Sequence, residues 1–200
     1  MKLKHIACMA AWALPALLAA QTNVIDFESA TGYKSLGVYD SWENSPFRAD
    51  ASGQQRLQGN VAVTANPFKE VDELAGETNV SDNVLGFQRS RFASNVFGVR
   101  VDLSEPFELT TTMKYVHVMM HRPNTGRVML VGLGKRQEWD HQSPEVEQFN
   151  ELCSTPLMQD KWFDAVFAVK GAGGIDIHSL VIVPDCEPTH ALAEDFLVCM

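Results

Sequence analysis

Near the C-terminal end of the chain, WFDAVFAV (162–169) and IDIHSLVIV (175–183) are separated only by KGAGG. In both, apolar residues recur at every second position, the period of a strand that turns one face to a core and the other outward. A helix would require apolar residues three and four apart, and no long stretch of this chain supplies them. The same short β-branched or aromatic segments, punctuated by Gly, Pro, Asn and Ser, recur along the sequence. Strands are expected over 24–27, 56–65, 84–89, 95–102, 114–122, 127–133, 162–169 and 175–183. That many short strands in one chain predict an all-β antiparallel sandwich. Two connections read as hairpin turns: RPNTGR (122–127), with Pro123 and Gly126, and KGAGG (170–174), whose glycines are free to take positive φ. The polar segment 66–83 reads as a crossover with one helical turn around Glu70 to Leu74.

The first twenty residues, MKLKHIACMAAWALPALLAA, run from charged to apolar to small side chains. That order marks a secretory signal peptide cleaved near Ala20, and the apolar run is short for a membrane span. The mature chain, 21–200, is expected to be a single exported domain without a transmembrane span. Without Lys2 and Lys4 it holds 14 basic against 25 acidic residues, a net charge of −11. So acidic a chain offers no basic stripe to a phosphate backbone, which argues against nucleic acid. Cys153, Cys186 and Cys199 remain after Cys8 departs. Export permits one disulfide among them and leaves one thiol over.

Several stretches have a family look: DFES (26–29), NVSDNVLGF (79–87), the segment 102–134 containing KYVHVMMHRPNTGRVMLVGLG, and KWFDAVFAVKGAGGIDIHSLVIVPD (161–185). Together they resemble the galactose-binding-like jelly rolls that accompany secreted bacterial glycan-processing proteins. The resemblance implies a carbohydrate-binding-module-like sandwich that binds sugar without chemistry. It also implies a structural calcium near the first and last strands, for which Asp26, Glu28 and Asp195 are the matching acidic residues. The chain departs from the pattern at EDFLVCM, where the final strand is expected to be shortened.

Sugars stack their C–H faces on flat aromatic rings and hydrogen-bond to polar neighbours. Tyr39, Trp42, Glu43, Asn44 and Arg48 form one such set in a turn-rich stretch, although Trp42 and Phe47 would equally plug the edge of the sandwich. Arg136, Trp139 and His141, with Glu138 and Asp140, form a second set in a loop. Trp162 is assigned to packing. Tyr115, His117, Met119 and His121 share one strand face opposite Val116, Val118 and Met120. Imidazole and thioether suit copper or zinc, but the spacing along one strand favours an ordinary sheet face. Asp176, His178 and Ser179 lack the strained turn that presents a catalytic serine. Paired carboxylates for glycoside hydrolysis require a separation that sequence does not give. The leading expectation is thus an exported, non-catalytic carbohydrate-binding protein whose partner is a polysaccharide or oligosaccharide. A structural or adhesive module that binds a cell-surface protein is the second reading, and a glycoside hydrolase the third.

Overall fold

The structure, a computed structural model, describes residues 24–39, 61–69, 79–89, 94–186 and 196–200. The expected leader, the helical turn at 70–74, and Trp42, Glu43, Asn44, Arg48 and Asp195 lie outside these residues. Among the described residues there are ten strands and no helix: β1 (Tyr33–Tyr39), β2 (Val61–Ala65), β3 (Asn83–Arg89), β4 (Gly98–Leu109), β5 (Lys114–His121), β6 (Met129–Arg136), β7 (Val146–Leu152), β8 (Trp162–Val169), β9 (Ile175–Val183) and β10 (Phe196–Cys199). They form two five-stranded antiparallel sheets, ordered β1-β4-β9-β6-β7 and β2-β3-β10-β5-β8. The expected all-β antiparallel sandwich is the observed fold.

Alternation decides which side chains fill the space between the sheets. Phe163, Ala165, Phe167 and Val169 of β8 are buried there with Met120 of β5, Leu85 and Phe87 of β3, and Val99 and Val101 of β4. Val116 and Val118 pack against the same core. Each fully buried large apolar side chain contributes about 2 kcal/mol in area terms. Two smaller apolar clusters lie apart from this core. One joins Val131 and Leu133 of β6 to Val181 and Val183 of β9, with Cys186. The other joins Val84, Trp162 and Cys199, with Phe68 and Met119.

Both expected hairpins prove to be bridges between sheets. β5 pairs with β8 and β10 while β6 pairs with β7 and β9, so RPNTGR carries the chain across the sandwich. KGAGG does the same between β8 and β9. Turn residues fix where a strand ends; they do not fix which sheet the next strand joins, and connections of this length span the roughly 10 Å between sheets. The positive φ expected of the glycines is found at Gly173 and Gly174, 85° and 66°.

Residues 24–27 form no strand. Asp26 Oδ1 accepts the N–H groups of Glu28 and Ser29, and Phe27 takes a φ of 55°. A side chain bonding to its own backbone in this way competes with a sheet ladder. β1 and β7 were not among the expected strands; in β7 the apolar residues Val146, Phe149 and Leu152 fall three apart instead of alternating. β7 reaches the core through Phe149, whose ring occupies the space beside Gly132: a Cβ there would come within 2.0 Å of it. The last strand pairs with β3 through Phe196–Cys199 and with β5 at Cys199 and His121.

Candidate functional site

Strand register sorts the loops into two ends. Arg136 pairs with Ile175, Ile175 with Leu109, and Lys114 with Val169, so the connections 110–113, 137–145 and 170–174 share one end. The connection 122–128 and residues 184–186 lie at the other.

Arg136, Trp139 and His141 come together at the first end. The Arg136 guanidinium carbon lies 5.0 Å from the Trp139 ring centroid, and the His141 ring lies 6.1 Å away and 16° from parallel. Trp139 is 42% exposed, which leaves much of a large flat ring open to a ligand. A cation over an indole holds the ring in place. The loop is tied down at several points. The Trp139 N–H donates to the Arg136 carbonyl at 3.1 Å, and the Gln142 N–H to the Trp139 carbonyl at 3.0 Å. Gln142 Oε1 in turn accepts the Arg136 N–H at 2.7 Å. Gln137 is anchored to the neighbouring connection by its N–H to the Gly174 carbonyl, 2.9 Å, and by Nε2 to Asp176 Oδ1, 2.8 Å. A loop held in this way loses little freedom on binding.

The same loop reaches a polar network on the outer side of the first sheet. Arg100 donates from Nε to Asp102 Oδ1 at 2.6 Å, from Nη1 to Glu145 Oε1 at 3.1 Å, and from Nη2 to Ser179 Oγ at 3.3 Å. Ser179 and Ser35 both donate hydroxyl hydrogens to Asp102. Partial burial of Asp102 works against its charge, but the bonds from Ser179, Ser35 and Arg100 outweigh it and hold the carboxyl below its ordinary value. For Arg100, burial is likewise outweighed by Asp102 and Glu145, which raise its pKa. Sequence reasoning missed this network. Its signal was Arg100 and Asp102 at alternate positions of a strand otherwise apolar on that stretch.

The remaining sequence-predicted residues fall elsewhere. Tyr39 pairs with Gly98 and packs with Met129, Val131 and Val183, at the far end of the sheet from Arg136. Seven residues of β6 separate those ends, roughly 23 Å at about 3.3 Å per residue. Ser179 bonds to Asp102 and is buried, so no Ser/His/Asp arrangement forms with His178 and Asp176.

On the outer side of the second sheet, Tyr115 is 63% exposed and His117 Nδ1 lies 2.7 Å from Asp164 Oδ2. His121 is instead buried between Phe68 and Trp162. Among the described residues no group of three or more His, Cys, Asp or Glu could hold a metal ion.

Two of the three residues expected to hold calcium, Asp26 and Glu28, are described. Asp26 Oδ1 accepts three hydrogen bonds, from the N–H groups of Glu28 and Ser29 and from Ser29 Oγ. Glu28 accepts three more, from Asp82 N at 2.5 Å, Asn83 N at 3.0 Å and Asn83 Nδ2 at 2.8 Å. Calcium takes six to eight oxygen ligands. Asp195, the third residue of the expected set, lies outside the described residues.

No protein-family model matches the sequence, and no curated protein matches it. Solved structures with a similar strand arrangement include the N-terminal endo-1,4-beta-D-xylanase 10B of Clostridium thermocellum, its CBM22-1 and GH10 modules complexed with xylohexaose. It is 13% identical, with a TM-score of 0.47 over 84% of this chain and 25% of that one. Another is the CBM22-2 xylan-binding domain of Xyn10C from Paenibacillus barcinonensis, 10% identical, with a TM-score of 0.43 over 72% of this chain and 85% of that one. This chain thus spans about a quarter of the first protein's length. The likeness is one of strand arrangement, and no residue role is taken from it.

Proposed function

We propose that this protein is an exported, non-catalytic carbohydrate-binding module, with Arg136, Trp139 and His141 as its described sugar contacts. One observation carries the reading: an exposed tryptophan held by an arginine, with a histidine beside it, on a loop bonded to the neighbouring connection. An indole face suits the apolar side of a pyranose, and guanidinium and imidazole suit its hydroxyls. The carboxylates of the adjoining network, Asp102 and Glu145, are engaged with Arg100. Trp42, Glu43, Asn44 and Arg48 remain proposed contacts, and residues 1–20 a proposed cleaved leader.

Titration of the purified protein with a panel of polysaccharides, followed by Trp fluorescence and by retardation in affinity gels, tests the reading. Retardation by at least one glycan, lost in Trp139→Ala, is the expected result. Equal retardation of both proteins would remove Trp139 from the site, and no response to any glycan would favour the adhesive reading. Release of reducing ends, abolished by one carboxylate substitution, would make the protein a hydrolase.

A further inference from the structure

Glu108 stands at the same end of the sandwich as the Trp139 loop, on the other side of β9. Arg136 of β6 is opposite Ile175 of β9, and Ile175 is opposite Leu109 of β4; one step back, Lys135, Asp176 and Glu108 form the next row. Neighbouring strands lie about 4.8 Å apart, so Glu108 stands roughly 10 Å across the sheet from the base of the loop. Between them the chain enters β9 through Gly173 and Gly174, which carry no side chains. A Cβ built at Gly174 would meet nothing within 4 Å, and one at Gly173 would meet only Glu108 Oε1, at 3.9 Å. The stretch from loop to carboxylate is bare backbone with open space beside it.

Both sides of that stretch are fixed. The Gly174 carbonyl accepts the Gln137 N–H at 2.9 Å, and the Gly174 N–H donates to Glu108 Oε1 at 2.8 Å. One glycine therefore ties the Trp139 loop to Glu108. The side chain of Glu108 is exposed, and its Oε2 carries no bond among the described residues. A carboxylate held by one oxygen offers the other as an acceptor and has no hydrogen to donate. Sugar hydroxyls can donate to it, whereas the carboxylate of a uronic acid cannot and is repelled. Glu138 and Asp140, both exposed on the loop itself, add charge of the same sign.

We propose that Glu108 is a specificity-determining contact of the sugar site: a neutral oligosaccharide stacked on Trp139 continues over Gly173 and Gly174 and donates hydroxyl hydrogens to Glu108 Oε2. The proposal rests on the sugar-binding reading and adds two properties of the ligand, a length of more than one ring and the absence of acidic groups.

Affinity gels containing galactomannan, hydroxyethylcellulose or arabinoxylan as neutral probes, and polygalacturonate as the acidic one, test the proposal at one ionic strength. The parent is expected to be retarded by at least one neutral glycan and not by polygalacturonate. Glu108→Gln keeps an acceptor for the Gly174 N–H and removes the charge; it is expected to weaken neutral binding about fivefold and to admit polygalacturonate. Glu151→Gln, the same change of charge on exposed β7, is expected to alter neither. Both variants should melt within about 2 °C of the parent, as for surface substitutions. Should Glu108→Gln melt lower, Gly174→Asn decides the matter, because Asn tolerates the positive φ and its side chain would fill the open stretch. That variant is expected to lose about tenfold in neutral binding. Neutral binding unchanged in both Glu108→Gln and Gly174→Asn, with binding still lost in Trp139→Ala, would overturn this proposal and leave the Trp139 reading standing. Retardation of the parent by polygalacturonate would overturn it too, and no retardation by any glycan would remove both.

Discussion

His121 lies flat against Phe68, with ring centroids 3.8 Å apart and planes 9° from parallel. Trp162 meets the same imidazole at 5.6 Å and donates its indole N–H to the Phe68 carbonyl at 2.7 Å. His121 is thus a packing residue, and the His/Met row of β5 is divided between a buried stack and an open face. Protein purified without an affinity tag is expected to contain neither copper nor zinc at stoichiometric level by elemental analysis. Phe68→Ala removes one side of the stack and is expected to cost on the order of 2 kcal/mol in denaturant titrations.

Trp139→Ala is expected to weaken glycan binding about tenfold, roughly 1.4 kcal/mol, read as retardation in affinity gels. Its effect on stability should stay within about 0.5 kcal/mol, as for an exposed loop residue. A comparable loss of stability and binding would show that the ring holds the loop together instead.

Gly134 lies two residues before Arg136, where a Cβ would come within 2.0 Å of the Asp176 carbonyl oxygen. Backbone cannot yield as a flexible side chain can, so Gly134→Ala must push β6 and β9 apart. The expected result is a loss of about 2 kcal/mol, with glycan binding reduced because the loop base moves.

The Asp102 carboxyl titrates below its ordinary value of 3.8 in the folded protein. Its contribution to stability is therefore present above that value and is lost as pH falls through the lower, folded one. Asp102→Asn should be less stable than the parent at pH 7, and the gap should narrow below about pH 4. A gap unchanged across acid titration of unfolding free energy would mean that the Arg100 network contributes nothing through charge.

Cys153, Cys186 and Cys199 are free. They belong to three different apolar clusters. The disulfide that export would permit does not form among them. Burial pushes the Cys199 thiol up to about 11, so at pH 8 about one part in a thousand is thiolate. With an aromatic disulfide reagent, the half-buried Cys153 is expected to react first and Cys199 last. Mature protein in denaturant should yield three thiols; a fourth would show that Cys8, and with it the leader, is retained.

Much of the architecture was legible because β5, β8 and β9 each alternate cleanly enough to assign an inner and an outer row. Inner Phe163, Ala165 and Phe167 follow from spacing alone. Pairing was not legible, since the same alternation serves a hairpin or a bridge between sheets, and only the whole assembly decides which. β7 was hidden because Phe149 is its one buried anchor. Arg136, Trp139 and His141 were readable as neighbours in one loop. The Arg100 network was not, since it joins β1, β4, β9 and the loop before β7, residues up to 144 positions apart between Ser35 and Ser179.

β9 runs through the middle of the first sheet, and both of its neighbours shift register at the same place. β4 moves from Asp102 opposite Ser179 to Phe107 opposite Ile177, and β6 moves from Leu133 opposite Ser179 to Gly134 opposite Ile177, each passing over His178. One residue is thus a seam between two half-sheets, the loop-bearing half beyond Ile177 and the half that carries Arg100 and Asp102. Each half keeps its own ladder of bonds up to the seam. A change in the Trp139 loop is therefore expected to leave the register of the far half intact, its one side-chain tie to that half among the described residues being Glu145 to Arg100.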